Sequence, residues 1–113
     1  MTEYNRGDVV LVSFVFPDET GVRRRPAVIV SSEAYHRGRQ EAIIAAITSR
    51  IDRVLVGDHP IGSWREAGLL FPSVATGIIR TTKQGMIARK LGVMPQGDMQ
   101  EIDEKLRSIL GLK

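Results

Sequence analysis

"TGVRRRPAVIVSS", residues 20–32, sets three arginines (Arg23, Arg24, Arg25) directly against a proline and a β-branched apolar run. The run predicts a core strand over residues 25–31, and Pro26 at its start is tolerable where no ladder N–H is needed. A buried strand cannot hold three cations, and a surface hairpin has no use for them. The stretch therefore predicts a strand whose mouth opens on an anion. Arginine, with its planar fork, suits a phosphate there.

Working outward, "DVVLVSFVF" (8–16) is nearly all apolar and predicts a first core strand, with "PDETGVRR" (17–24) as its hairpin connection. That connection is longer than the two to five residues typical of a hairpin, which suggests a mobile flap. "SEAYHRGR" (32–39) is a connection with room for one helical turn. "EAIIAAIT" (41–48) is a third strand, although its alanines also permit a helix. "RVLV" (53–56) and "PSVATGII" (72–79) are further strand candidates, with a helical turn at "SWREAG" (63–68). "GMIARKLG" (85–92) closes the sheet. Near the end, Asp98 and Glu101 have capping-box spacing, Ile102, Leu106, Ile109 and Leu110 share one helical face, and Gly111 is a natural stop. These elements predict a mainly β chain with a C-terminal α-helix over residues 99–110, as a small, partly open barrel. No linker divides residues 1–113, which are expected to form a single domain.

Composition narrows the function classes. Cysteine is absent, so disulfides and thiolate metal sites are excluded, and a reducing, cytoplasmic setting is expected. The two histidines, His36 and His59, have no metal-ligand spacing; neither a metal nor another cofactor is expected. No apolar run spans a membrane, and no signal-peptide core opens the chain. The net charge is +3, and it is uneven: residues 20–55 hold seven arginines against three acids. That asymmetry points to an anionic partner. His36 reads as a loop residue, with Tyr35 beside it available for base stacking; His59 reads as a turn residue and Trp64 as a core or rim anchor.

"RGDVVLVSF" (6–14), "RRPAVIVSS" (24–32), "IAAITSRI" (44–51), "IIRTT" (78–82) and the ending "SILGLK" (108–113) occur in this order along nearly the whole chain. Together they resemble the MazF/PemK/Kid family of bacterial toxins. The resemblance implies an SH3-like, CcdB/PemK-like barrel and a homodimer that cuts single-stranded RNA without a metal. It also implies a cognate antitoxin lying in the RNA groove. By the same resemblance Arg25 falls on the catalytic arginine and Thr48 on the active-site threonine, with Ser49 beside it. Arg23, Arg24, Arg50, Arg80 and Thr81 are then expected to contact RNA.

These residue types suit the chemistry. When a 2′-OH attacks the adjacent phosphorus, the equatorial oxygens gain negative charge, which a guanidinium can hold bidentately. Hydroxyl and backbone N–H groups can orient the phosphate for in-line attack. The products of such attack are a 2′,3′-cyclic phosphate and a 5′-OH. A plainer reading makes Thr48 and Ser49 a turn pair and Arg25 a strand-entry charge.

One departure matters. Aligned on "IIRTT", Ala75 and Gly77 stand where some members of the family carry an arginine and an aspartate as acid and base. Neither can transfer a proton, which leaves a non-catalytic RNA-binding module as an alternative. A gyrase poison of the CcdB type is the other, but its activity rests on a terminal tryptophan, whereas this sequence ends "LGLK".

Overall fold

The computed structural model describes residues 4–14 and 23–113. Strands β1 (Asp8–Phe14), β2 (Arg23–Ile29) and β3 (Glu41–Thr48) form the centre of a six-stranded sheet. Outside them lie β4 (His59–Pro60), β5 (Val74–Lys83) and β6 (Ile87–Val93), in the order β4-β5-β3-β2-β1-β6. Every pairing is antiparallel. Among the described residues no ladder joins β6 back to β4, so the barrel stays open. Helix α1 (Glu33–Gly38) links β2 to β3, and α2 (Gln96–Leu110) ends the fold.

The central strands read as unbroken apolar runs because the bent sheet is covered on both faces. One face gathers Val9, Val28, Ala45 and Ile47 with Ile61, Leu69 and Met94, under Ile102 of α2. The other gathers Val10, Val12, Ala27, Ile29, Ile44 and Ile87. Burying the Ile102 side chain contributes about 2 kcal/mol to holding α2 on the sheet, with Met99 and Leu106 packed beside it. Register breaks in β1–β6 and β3–β5 supply the bend. At the second break, Ala46 lies opposite the stretch Thr76–Ile78, and Thr76 Oγ1 donates to Ala46 O at 2.7 Å.

The "RGD" start has a structural explanation. Arg6 donates to Val30 O at 2.9 Å and pairs with Asp103 of α2. Gly7, at φ +93°, lets its own N–H reach Ile29 O while its carbonyl receives Met94 N. Asp8 is buried, accepting Asn5 N at 2.8 Å and facing Lys90 Nζ at 3.3 Å.

Several boundaries differ from the sequence reading. Strand β2 begins at Arg23, so Arg23 and Arg24 pair with Phe14 and Ser13 instead of belonging to the connection. The rest of that connection and its proposed flap lie outside the described residues. Residues 53–56 form no strand: Val56 is 91% exposed, and Gly57 turns the chain at φ +92°. Their β-branched composition favours a strand, but no neighbour offers a ladder. Strand β5 runs to Lys83, beyond the expected end at 79.

Helix α2 starts earlier than expected, with Pro95 at the N-cap and no side-chain cap. Asp98 does not cap its own helix. Its carboxylate accepts His59 Nε2 and Gly62 N at 2.8 Å, and Ser63 N at 3.1 Å. Burial pushes the Asp98 carboxyl up, but these hydrogen bonds outweigh it and hold its pKa below the ordinary value. His59, read as an idle turn residue, thus ties β4 to the helix. Gly111 ends α2 in the left-handed region as the sequence predicts, its N–H meeting the carbonyls of Arg107 and Ser108.

Candidate nucleic-acid interface

The β2–β3 ladder pairs Ala27 with Ala46, Val28 with Ala45 and Ile29 with Ile44. Pro26 has no N–H to extend it, so the strands part there and leave a mouth. The same register continued two residues sets Arg25 opposite Thr48. The three arginines thus lie within β2, on the stretch that pairs with β1 beyond the end of the β2–β3 ladder.

A cavity of about 530 Å³ occupies that mouth. Arg24 and Arg25 of β2 line one wall, Thr48 and Ser49 the end of β3, and Leu69 to Phe71 the connection before β5. Arg89 and Lys90 enter from β6. Four cations, of which Lys90 is shared with Asp8, therefore meet the hydroxyls of Thr48, Ser49 and Ser73, and among the described residues no carboxylate or imidazole lines the space. Arg25 is half-buried, whereas Arg24, Arg89 and Lys90 are exposed at the opening. The field of such a set favours an anion with several oxygens.

Thr48 Oγ1 accepts Arg50 N at 3.1 Å, closing the turn after β3 and leaving its own O–H to donate. The plainer reading of Thr48 as a turn residue is thus accurate, and compatible with a second role. Thr48 also lines a neighbouring cavity of about 540 Å³ with Arg50, Arg53 and Asp58. Both carboxylate oxygens of Asp58 are committed, to Leu55 N at 2.9 Å and Gly77 N at 3.0 Å, so it fastens the 55–58 turn to β5.

The structure does not gather every expected residue. Arg23 is exposed at the start of β2 and does not line either cavity. Arg80 and Thr81 pair with Ile44 and Ile43, whereas Thr48 pairs with Val74. Ile44, the partner of Arg80, lies four residues from Thr48, which at about 3.3 Å per residue is roughly 13 Å along β3. Ala75 is buried between Ile47 and His59 in the ladders, and Gly77 sits in the β5 break.

Tyr35 and His36 lie in α1, with His36 between Ser31 Oγ and Tyr4 O and with the Arg39 guanidinium over the Tyr35 ring at 5.4 Å. Trp64 packs on the core with Arg65 over its ring at 4.7 Å. Arg89 and Lys90 were missed, because their approach depends on β6 returning beside β1. The cation pair inside a strand otherwise apolar was the available signal. Among the described residues no cluster of His, Cys, Asp and Glu is suited to a metal, and no helix is long and apolar enough to cross a membrane.

Residues 5–110 match the model of a family described as PemK-like, MazF-like toxin of type II toxin-antitoxin system. The chain belongs to this family. Among solved structures it is similar to an endoribonuclease from a mycobacterial species, at 22% identity and TM-score 0.78, covering 99% of this chain and 95% of that one. It is also similar to a mycobacterial endoribonuclease in complex with its cognate antitoxin (22% identity, TM-score 0.79, 98% of each chain). A MazE–MazF structure from Deinococcus radiodurans matches at 22% identity and TM-score 0.78, covering 97% and 98%. At these identities the structural likeness speaks for the open-barrel fold, and the family match speaks for toxin membership.

Proposed function

We propose that this toxin is an endoribonuclease cutting single-stranded RNA without a metal, and that a cognate antitoxin restrains it. The observation that carries the reading is that Arg25 and Thr48 line one cavity with three further cations, in a chain of the toxin family. The RNA 2′-oxygen forms a bond to the adjacent phosphorus while the bond to the 5′-oxygen breaks. The 2′-proton passes to solvent and the 5′-oxygen takes one up, leaving a 2′,3′-cyclic phosphate and a 5′-OH. Arg25 holds the charge growing on the equatorial oxygens, and Thr48 with Ser49 orients the phosphate. Two copies would pair as a homodimer, bringing two such cavities to one groove; light scattering at micromolar concentration should give twice the 12.5 kDa of one chain.

The test is cleavage of a long RNA in EDTA with mapping of the cut ends. Arg25→Ala should lose about a hundred-fold or more in single-turnover rate, the scale of a lost preorganised donor. Arg25→Lys keeps the charge but not the fork and should stay well below the parent. Near-normal cutting by either variant would refute the assignment. A second reading, RNA binding without cleavage, is favoured by Ala75 and Gly77, which carry no exchangeable side-chain proton. RNA bound tightly but left intact by the parent protein would establish it.

A further inference from the structure

The rim of the cavity carries a feature that phosphate binding does not explain. Leu70 is 83% exposed and Phe71 63% exposed, side by side at a mouth that also carries Arg24, Arg89 and Lys90. An apolar pair left in water has a cost unless something covers it.

This rim is not a loose loop. Leu69 on one side is buried, with its N–H donating to Trp64 O at 3.0 Å. Ser73 on the other is buried too, its carbonyl receiving Ile61 N at 2.9 Å and its hydroxyl donating to Phe71 O at 2.8 Å. Behind them the turn at Gly68 presses on β6: a Cβ at Gly68 would stand 2.1 Å from Leu91 O, and one at Gly92 would stand 2.5 Å from Ala67 O. The tip, residues 70–72, is therefore fixed at both ends and held beside Arg89 and Lys90.

We propose that Phe71, with Leu70 beside it, is the stacking platform for an unpaired nucleobase next to the phosphate held at Arg25. This rests on the RNA-cleaving reading. Charge complementarity selects the occupant: a polyanion whose units alternate a charged phosphate with a flat apolar face fits cations flanked by an exposed ring. A ring carried on backbone anchored at both ends needs little rearrangement of the chain on binding. Phe71 thereby sets which base flanks the cut, through ring area and the shape of the rim.

Phe71→Ala, Phe71→Tyr and the parent protein are compared on one long transcript of defined sequence, with cut ends mapped. They are compared again on a short RNA copied from a mapped site, with and without an abasic nucleotide beside the cut. Phe71→Ala should raise KM about tenfold with little change in the single-turnover rate at saturation, and should relax the base preference at one position. Phe71→Tyr should restore both. The abasic RNA should erase the difference between the parent and Phe71→Ala. Thermal melting should not move, since the ring is exposed.

Unchanged KM and unchanged preference in Phe71→Ala, while the parent still cuts, would overturn the platform and leave the nuclease reading intact. Loss of the dimer or of antitoxin binding in Phe71→Ala, with cleavage preference unaltered, would assign the rim to a protein contact instead. A parent protein that cuts no RNA would overturn both readings.

Discussion

Removing the Asp98 carboxylate should loosen the whole cavity-side connection, because three donors converge on it from residues 59–63. The Asp98 side chain is 9% exposed and that of His59 13%. Hydrogen bonds to a charged acceptor are each worth about 1.5–3 kcal/mol, but Gly62 lies at the surface and water would replace part of the set. Asp98→Ala should therefore cost about 2–3 kcal/mol, with Asp98→Asn losing about half as much because one acceptor oxygen remains. At about 4 °C per kcal/mol for a chain of this size, the alanine variant should melt about 8–12 °C lower.

The pH dependence has a definite sign. Because the folded carboxyl titrates below its unfolded counterpart, its contribution is complete above the unfolded value near ~3.9 and fades as pH falls through the folded one. Urea unfolding at pH 7 and pH 3 measures this, and the gap between the parent and Asp98→Asn should narrow at the lower pH. A variant within about 0.5 kcal/mol of the parent at pH 7, or a gap unchanged at pH 3, would refute the assigned role.

Gly68→Ala forces a Cβ onto Leu91 O at φ +86°, and should lower stability by more than about 2 kcal/mol in denaturant titration. The double substitution Arg24→Ala, Arg89→Ala removes two cations at the cavity opening. It should flatten the salt dependence of single-stranded RNA binding by about 1.4 in log–log slope, while cleavage at saturating protein persists. Thr48→Ala should slow cleavage less than Arg25→Ala, since Ser49 and nearby backbone N–H groups remain, as single-turnover rates would show.

The sequence made the centre of this molecule legible and its periphery much less so. Strands β1 to β3 declare themselves because both sheet faces are buried, so the apolar runs are unbroken. Helix α2 shows its apolar stripe and its glycine stop. Residues 53–56 carry the same β-branched signature but find no partner, and pairing is a property of the neighbour. Asp98 has the spacing of a cap, yet a loop some 35 residues earlier competes for its oxygens and wins with three donors. The cavity divides the same way. Arg25 and Thr48 are adjacent to strand ends visible in the sequence, whereas Arg89, Lys90 and Phe71 enter by tertiary return.

Thr48 lies between two hollows, one holding Arg25 and the other Arg50 and Arg53 with Asp52 and Asp58. Under the RNA-cleaving proposal, a polynucleotide laid from one hollow to the other would bend over the crest between them. In-line attack by a 2′-oxygen on the adjacent phosphorus needs a departure from the helical stack of the same kind as that bend. An A-form duplex is too stiff to follow the crest, since its paired strand would have to break stacking at the same point. Discrimination against double-stranded RNA would then come from topography, with no side chain assigned to detect pairing.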